Sequence, residues 1–240
     1  MISAIILARC TSSRLPNKHF YQIGNKKIID IIIHNLKSNK IISQIYLATG
    51  TKTKNFNFLK IAKKNKINIY FHNNEDNVTE RIYKVTKKIK TKYSILISGD
   101  CCLVDNSFIK RLYKSIKLQN KDFVKSNNKL IHEGITLFKT DIWSKVNKNS
   151  KKYHQKEHPG YVVKEYPNLF DIAKYKPLKY ETGKKFRLSV DTESDLDFFN
   201  NHYDYLNKKN KKFDLLNIIK SKNFNYLKKH VEQKKAVSVE

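Results

Sequence analysis

The chain has 240 residues, 40% of them hydrophobic, and a formal net charge of +28. That length and apolar content suit one α/β domain with a buried core and exclude a largely disordered chain, and no apolar run reaches membrane-spanning length. Three cysteines, two of them the neighbours Cys101 and Cys102, exclude an even disulfide framework and a two-plus-two zinc spacing.

The charge alone points to nucleic acid, an anionic membrane surface or an acidic partner. The lysines, however, are spread along the whole chain, and Lys, Asn, Ile, Tyr and Phe are abundant where Ala, Gly, Pro and Arg are scarce. AT-rich codons write such a composition. The excess is therefore read as solvated faces, with neither nucleic acid nor membrane expected as partner, and a polyanion-binding scaffold is kept as an alternative. The opening MISAIILARC lacks a basic segment before its short apolar stretch, so it does not read as a secretory signal, and a cytoplasmic location is expected.

Short β-branched runs alternate with helical periodicity in the first half. Ile2 to Ala8, Gln44 to Thr49, Ile67 to Phe71 and Tyr93 to Ser98 are predicted strands, and Ile28 to Ser38, Asn55 to Lys64 and Val78 to Ile89 predicted helices. Strand–helix alternation with short connections predicts an α/β fold, a doubly wound and mostly parallel sheet. Beyond it, helices are predicted at Asn106 to Ile116, Glu193 to Tyr205 and Phe213 to Ile219, and strands at Ile135 to Phe138 and Phe186 to Val190. The polar stretch Lys145 to Lys156 reads as a surface loop or the base of an arm. A single domain over residues 1–230 is expected, with 231–240 a flexible tail.

In a parallel α/β sheet the ligand sits beyond the carboxyl ends of the strands, so the residues following each strand matter most. After the first strand comes ARCTSSRLPNK. Only five arginines stand among 49 basic residues, and two of them, Arg9 and Arg14, fall in this segment. A guanidinium is a planar, bidentate donor that lysine does not replace, so Arg9, Ser12, Ser13, Arg14 and Lys18 form a candidate phosphate grip. The loop has neither a P-loop ending nor a dinucleotide-binding glycine pattern.

After the fourth strand comes SGDCCLVD. Read alone, Asp100 serves equally as a turn aspartate or as a ligand for a hard divalent cation shared with phosphate oxygens. Asp105 reads as the cap of the next helix. A second strand-end carboxylate, Asp191, follows Arg187 in FRLSVDTESDLDFF, with a capping-box pattern from Thr192 to Asp195. Two such aspartates and a basic loop resemble the metal-binding half of a nucleotidyl-transfer site. In NNEDNVTERIYKV, Glu75, Asp76 and Glu80 read as helix-start acids. Arg81 is placed to reach a nucleoside, while Arg111 reads as a surface residue. Glu157 and His158 lie in an aromatic-rich segment, where the histidine reads equally as a substrate contact or as packing. Cys101 and Cys102 read as packing residues.

Taken in order, these segments resemble the spore-coat polysaccharide cytidylyltransferase family, related to the cytidylyltransferases that activate acylneuraminate and Kdo-type sugar acids. The similarity rests on Arg9, Ser12, Ser13, Arg14, Leu15, Pro16 and Lys18; on Glu75, Asp76, Val78 and Arg81; on the turn from Gly99 to Asp105; and on the strand end from Arg187 to Thr192. It extends over roughly residues 1 to 205. Cys102 stands where that family usually has proline, Leu96 where it often has arginine, Asn17 where it usually has glycine, and Thr136 where an acidic residue is expected. The departures at Leu96, Cys102 and Thr136 keep a non-catalytic relative as a further alternative.

The resemblance implies a Rossmann-like, GT-A-like α/β/α sandwich and transfer of CMP from CTP to an acidic sugar, nonulosonic or Kdo-like, with release of pyrophosphate in surface polysaccharide synthesis. It implies Mg²⁺ on Asp100 and Asp191. Arg9 and Lys18 would hold the triphosphate and, with Asp100, form the catalytic set. Ala8, Ser12, Ser13 and Arg14 would complete the nucleotide loop, with Arg81 near the nucleoside. Arg187, Glu157 and His158 would face the sugar. A homodimer with 145–170 as its arm is also implied.

Overall fold

The computed structural model describes residues 1–12, 14–126, 130–132, 134–182 and 188–221. Its first element is β1 (Ile2–Leu7), buried along almost its whole length. Alternate side chains enter two different cores. Ile2, Ala4 and Ile6 join one apolar cluster and Ile5 the other. A strand buried on both faces is what the uninterrupted run ISAIIL encodes.

A small antiparallel pair, β2 (Gln22–Ile23) and β3 (Lys26–Lys27), leads into α1 (Ile28–Lys37), which buries Ile28, Ile29, Ile32, Ile33 and Leu36 on one stripe. Then come β4 (Ile42–Thr49), α2 (Lys52–Asn55), α3 (Asn57–Lys64), β5 (Asn68–Phe71), α4 (Val78–Thr86) and β6 (Tyr93–Ser98). The chain continues through α5 (Asn106–Gln119), β7 (Phe123–Lys125), β8 (Ile135–Lys139), α6 (Trp143–Asn149), α7 (Tyr153–Glu157), α8 (Gly160–Glu165), β9 (Ile172–Lys174), α9 (Glu193–Lys208) and α10 (Leu215–Ile219).

Seven strands form one sheet in the order β5-β4-β1-β6-β8-β7-β9. The β1–β4, β1–β6 and β4–β5 pairs are parallel, and β8 runs antiparallel to β6. One face carries α1, α5 and α9 through Ile32, Phe108, Ile109, Phe198 and Phe199; the other carries α4, α6 and α8 through Ile82, Val85, Trp143, Val146 and Val162. The result is a doubly wound α/β/α sandwich. Each fully buried side chain of this kind contributes about 1.5–3 kcal/mol of transfer free energy, so the two clusters dominate the folding free energy.

The strand order decides where a ligand can sit. From β1 the chain moves outward to β4 and β5, then crosses back through α4 to β6 on the other side of β1. The carboxyl ends of β1 and β6 therefore flank the point where the winding reverses, which is where crevices open in such sheets.

Several expectations need correction. The stretch from Lys145 to Lys156 is not a loop: α6 and α7 occupy most of it, with Val146 and Gln155 buried. Here Lys and Asn lie on solvent-facing turns while Trp143 and Val146 carry the apolar stripe. Only Ser189 of the strand predicted from Phe186 to Val190 is paired among the described residues, in an isolated bridge to Cys101; Phe186 and Arg187 lie outside them. Arg111 is not a free surface residue. Its guanidinium bonds Tyr175, Tyr180 and the fully buried Glu181. No helix among the described residues is long and apolar enough to cross a membrane.

Candidate active site

The site is built from the ends of β1 and β6, the loop behind β1 and the segment from Ser189 to Asp191. The residue after β6 must be small. A Cβ added at Gly99 would lie 2.6 Å from the Leu7 carbonyl oxygen and 2.8 Å from Ala8 Cβ. Glycine lets the two chains touch there, and Gly99 N–H donates to the Leu7 carbonyl at 2.7 Å. Asp100 follows at once. Its backbone carbonyl accepts from Val190 N–H at 3.0 Å, and Cys101 bridges Ser189. This short antiparallel contact delivers Asp191 beside Asp100.

Lys18 lies between the two carboxylates. Its Nζ donates to Asp100 Oδ2 and, at 2.7 Å, to Asp191 Oδ1. Arg14 Nη2 reaches the same Asp191 oxygen at 2.9 Å. The outer oxygens are held separately: Ser98 Oγ donates to Asp100 Oδ1 at 2.6 Å and Ser189 Oγ to Asp191 Oδ2 at 3.3 Å. Burial pulls the Lys18 ammonium towards neutrality, but Asp100 and Asp191 outweigh it and raise its pKa.

His19 fixes the loop to the sheet. Its Nε2 accepts from Arg9 N–H at 3.3 Å while Nδ1 bonds the Gly99 carbonyl at 2.8 Å, the pairing of a neutral ring protonated on Nδ1. Burial lowers its pKa, which keeps that neutral form. Asn17 introduces the turn in the left-handed region at φ 57°. Asparagine tolerates this conformation, so its replacement of the usual glycine leaves the backbone path open.

A second acidic group frames Arg9. The guanidinium lies 3.1 Å from Asp76 Oδ1 and 3.7 Å from Glu157 Oε1. Behind them Glu75 Oε1 collects Thr51 N–H at 2.7 Å and Asn55 Nδ2 at 2.6 Å, while Oε2 accepts from Thr11 Oγ1 at 3.2 Å. Burial raises the Glu75 pKa, yet these donors outweigh it and hold the carboxyl below its ordinary value. A Cβ at Gly50 would lie 2.2 Å from that carboxylate, so glycine gives it room. Cys10 N–H donates to Asn55 Oδ1 at 2.8 Å, tying the loop to the same network.

The predicted site residues therefore divide. Arg14, Lys18, Asp100 and Asp191 come together, whereas Arg9 sits in the neighbouring group with Asp76 and Glu157 and is tied to the first through its backbone N–H on His19. Ala8 is buried at the start of the loop, and Ser12 is half-buried within it. His158 is exposed, its Nε2 4.0 Å from Glu157 Oε2. Arg81 is buried behind the turn at Glu75, donates to the Glu75 carbonyl and leaves Nε without a hydrogen-bond partner. Its burial lowers the pKa to about 10, still above neutrality. Ser13 and Arg187 lie outside the described residues. Cys101 and Cys102 are buried thiols whose pKa values burial pushes well up, as suits packing. Leu96 and Thr136, two of the positions that depart from the family pattern, are cross-strand partners on β6 and β8.

Sequence reasoning missed His19, Asn55 and the two serines. A usable signal was present: serine stands two positions before each aspartate, at Ser98 and Asp100 and again at Ser189 and Asp191. It also missed a separate network in which Asp105, His132 and Glu181 lie close together. Arg111 occupies that cluster, pairing with Glu181 and lying 3.6 Å from Asp105.

The model of the family described as "Cytidylyltransferase" matches residues 3–239. This chain belongs to the cytidylyltransferase family. Its relatives include the spore coat polysaccharide biosynthesis protein SpsF of Bacillus subtilis, 22% identical over 80% of this chain and 81% of that protein. Among solved structures, a cytidylyltransferase from Leptospira borgpetersenii superposes with a TM-score of 0.80 at 20% identity, covering 98% of both chains. A CMP:2-keto-3-deoxy-manno-octonic acid synthetase complexed with CTP gives a TM-score of 0.67 at 13% identity over 87% of this chain and all of that one. These likenesses establish the nucleotidyltransferase fold of this family member.

The carboxylate pair of this cytidylyltransferase fits a divalent cation in its chemistry. Both donors are hard oxygens, both are held by serine hydroxyls, and both already converge on one cation, the Lys18 ammonium.

Proposed function

We propose that this cytidylyltransferase transfers CMP from CTP to a hydroxyl of an acidic sugar, releasing pyrophosphate, and serves surface polysaccharide synthesis. The observation that carries this reading is the convergence of Lys18 and Arg14 with Asp100 and Asp191 at the β1/β6 strand ends. The sugar hydroxyl oxygen attacks the α-phosphorus and gives up its proton to solvent, while the bond from that phosphorus to the bridging oxygen breaks and its electron pair leaves with pyrophosphate. Such a displacement demands alignment and charge neutralisation more than a protein nucleophile. Arg9, Arg14 and Lys18 would supply positive charge to the phosphate oxygens, with the backbone of residues 8–12 and 14–17 beside them. Asp100 and Asp191 would hold Mg²⁺, whose chemistry is to polarise phosphoryl oxygens and neutralise the charge that develops on them. Glu157, paired with Arg9, and the exposed His158 would meet the acceptor sugar.

An acidic acceptor suits the chain's formal net charge of +28, since an anionic substrate is drawn to a positively charged protein. The kinship with SpsF and the CTP-complexed synthetase supports the choice of nucleotide and sugar class. Calorimetry of the four nucleoside triphosphates with Mg²⁺ tests the reading: CTP binds more tightly than UTP, ATP or GTP. Absence of nucleotide binding with Mg²⁺ present overturns it.

A further inference from the structure

All three cations of the β1 loop are already engaged by acids. Arg9 pairs with Asp76 and Glu157, Arg14 with Asp191, and Lys18 with Asp100 and Asp191. Among the described residues, two carboxylates face two cations at the strand ends, so the formal charges of these four cancel. A dication entering this arrangement alone would meet two positive neighbours, and a triphosphate arriving alone would have to strip Lys18 and Arg14 from their partners.

We infer that Lys18 is a resident cation in the divalent-metal position, and that metal and nucleotide enter by partner exchange: the ammonium leaves the carboxylates for phosphate as the dication takes its place. This rests on the reading under Proposed function. Two features make the exchange possible. Lysine carries a compact charge on a flexible four-carbon stem, so it can swing where a rigid fork cannot. The carboxylates do not depend on it for orientation, because Ser98 and Ser189 hold their outer oxygens at 2.6 and 3.3 Å. When Lys18 leaves, Asp100 Oδ2 and Asp191 Oδ1 stay aimed at one point.

The consequence is reciprocal linkage, each ligand tightening the other by the same factor. It has an unusual sign for Lys18: removing a cation that serves the nucleotide strengthens binding of the metal alone.

Mn²⁺ binding to the full chain, followed by electron paramagnetic resonance, tests this. Wild type is expected to bind free Mn²⁺ weakly and roughly tenfold or more tightly with CTP, a factor in the range typical of coupled sites. Lys18→Met without nucleotide binds Mn²⁺ roughly tenfold more tightly than wild type, and its melting temperature rises more with Mn²⁺ than that of wild type. Adding Asp100→Asn to Lys18→Met abolishes the gain. Should Lys18→Met fail to fold, Arg14→Gln at an exposed position removes one cation from Asp191 and still raises affinity for Mn²⁺ alone. Equal Mn²⁺ affinity in wild type and the folded variant, or no effect of CTP on metal affinity, overturns the inference while leaving the nucleotidyltransferase reading intact. Failure of wild type to bind any nucleotide defeats that reading and the exchange with it, whereas unchanged free Mn²⁺ affinity in Lys18→Met of a protein that binds CTP defeats the exchange alone.

Discussion

Lys18 Nζ donates to Asp191 Oδ1 at 2.7 Å across 173 residues of chain. The contact joins the loop behind the first strand to the segment that opens α9, and it sets two elements of opposite charge around one point. Asp191→Asn keeps the backbone N–H that donates to Asp195 Oδ2 at 2.9 Å, so the fold persists. Turnover with CTP falls by roughly 100-fold or more, the scale on which a lost electrostatic partner acts in a transition state. Steady-state pyrophosphate release alongside far-UV circular dichroism checks both halves; undiminished turnover would remove Asp191 from the site.

His19 bridges Arg9 N–H and the Gly99 carbonyl from a nearly fully buried position. His19→Ala leaves both groups unpartnered beside a cavity, so stability falls by about 3 kcal/mol. KM for CTP rises with it, because the Arg9 backbone loses its anchor. Urea denaturation and initial-rate kinetics measure the two effects, and a variant as stable as wild type would show that the bridge does not hold the loop.

Gly99→Ala places a Cβ 2.6 Å from the Leu7 carbonyl oxygen, a backbone atom of the central strand that cannot swing aside. Overpacking of this kind costs about 1–3 kcal/mol and displaces Asp100. Thermal unfolding reports the first effect and CTP turnover the second.

His132 stacks on Phe108 at 4.0 Å with both ring nitrogens buried and without hydrogen-bond partners among the described residues, and burial lowers its pKa from 6.5 to about 4. The unfolded chain takes up this proton as pH falls below 6.5, whereas the folded chain resists until about 4. The unfolded state therefore binds more protons in that window, and stability falls on acidification by up to about 3 kcal/mol from this residue. His132→Leu flattens that slope, and at neutral pH it costs under about 1.5 kcal/mol because no hydrogen bond is lost. His19 and His202, also lowered by burial, retain part of the acid sensitivity. Urea titrations at several pH values decide the point: an unchanged slope contradicts it.

The alternation of β1, α1, β4, β5, α4 and β6 was legible because each strand or helix carries a period long enough to show. The Asp105 cap and the Thr192 to Asp195 capping box were legible for a similar reason, since a cap is local: Asp105 accepts from Ser107 N–H at 2.7 Å, and Thr192 from Asp195 N–H at 3.3 Å. The three-residue strands β7 and β9 were not, since three residues carry no usable alternation and their pairing was settled by distant partners. At the site, Arg9, Arg14, Lys18 and Asp100 drew attention through residue type and position after a strand. What stayed hidden was which acid each cation meets. Those contacts span 67 residues for Arg9 and Asp76 and 82 for Lys18 and Asp100, distances over which local pattern says nothing. Arg111 misled for the same reason, because its helix position looks solvent-facing until Tyr175, Tyr180 and Glu181 fold over it.

The most direct measurement of the central claim is ³¹P nuclear magnetic resonance of CTP incubated with the protein, Mg²⁺ and a panel of acidic sugars. A phosphodiester resonance from a CMP-sugar together with pyrophosphate is expected for at least one sugar, and neither with Asp100→Asn. Intact CTP with every sugar, from folded protein that binds no nucleotide, would contradict it.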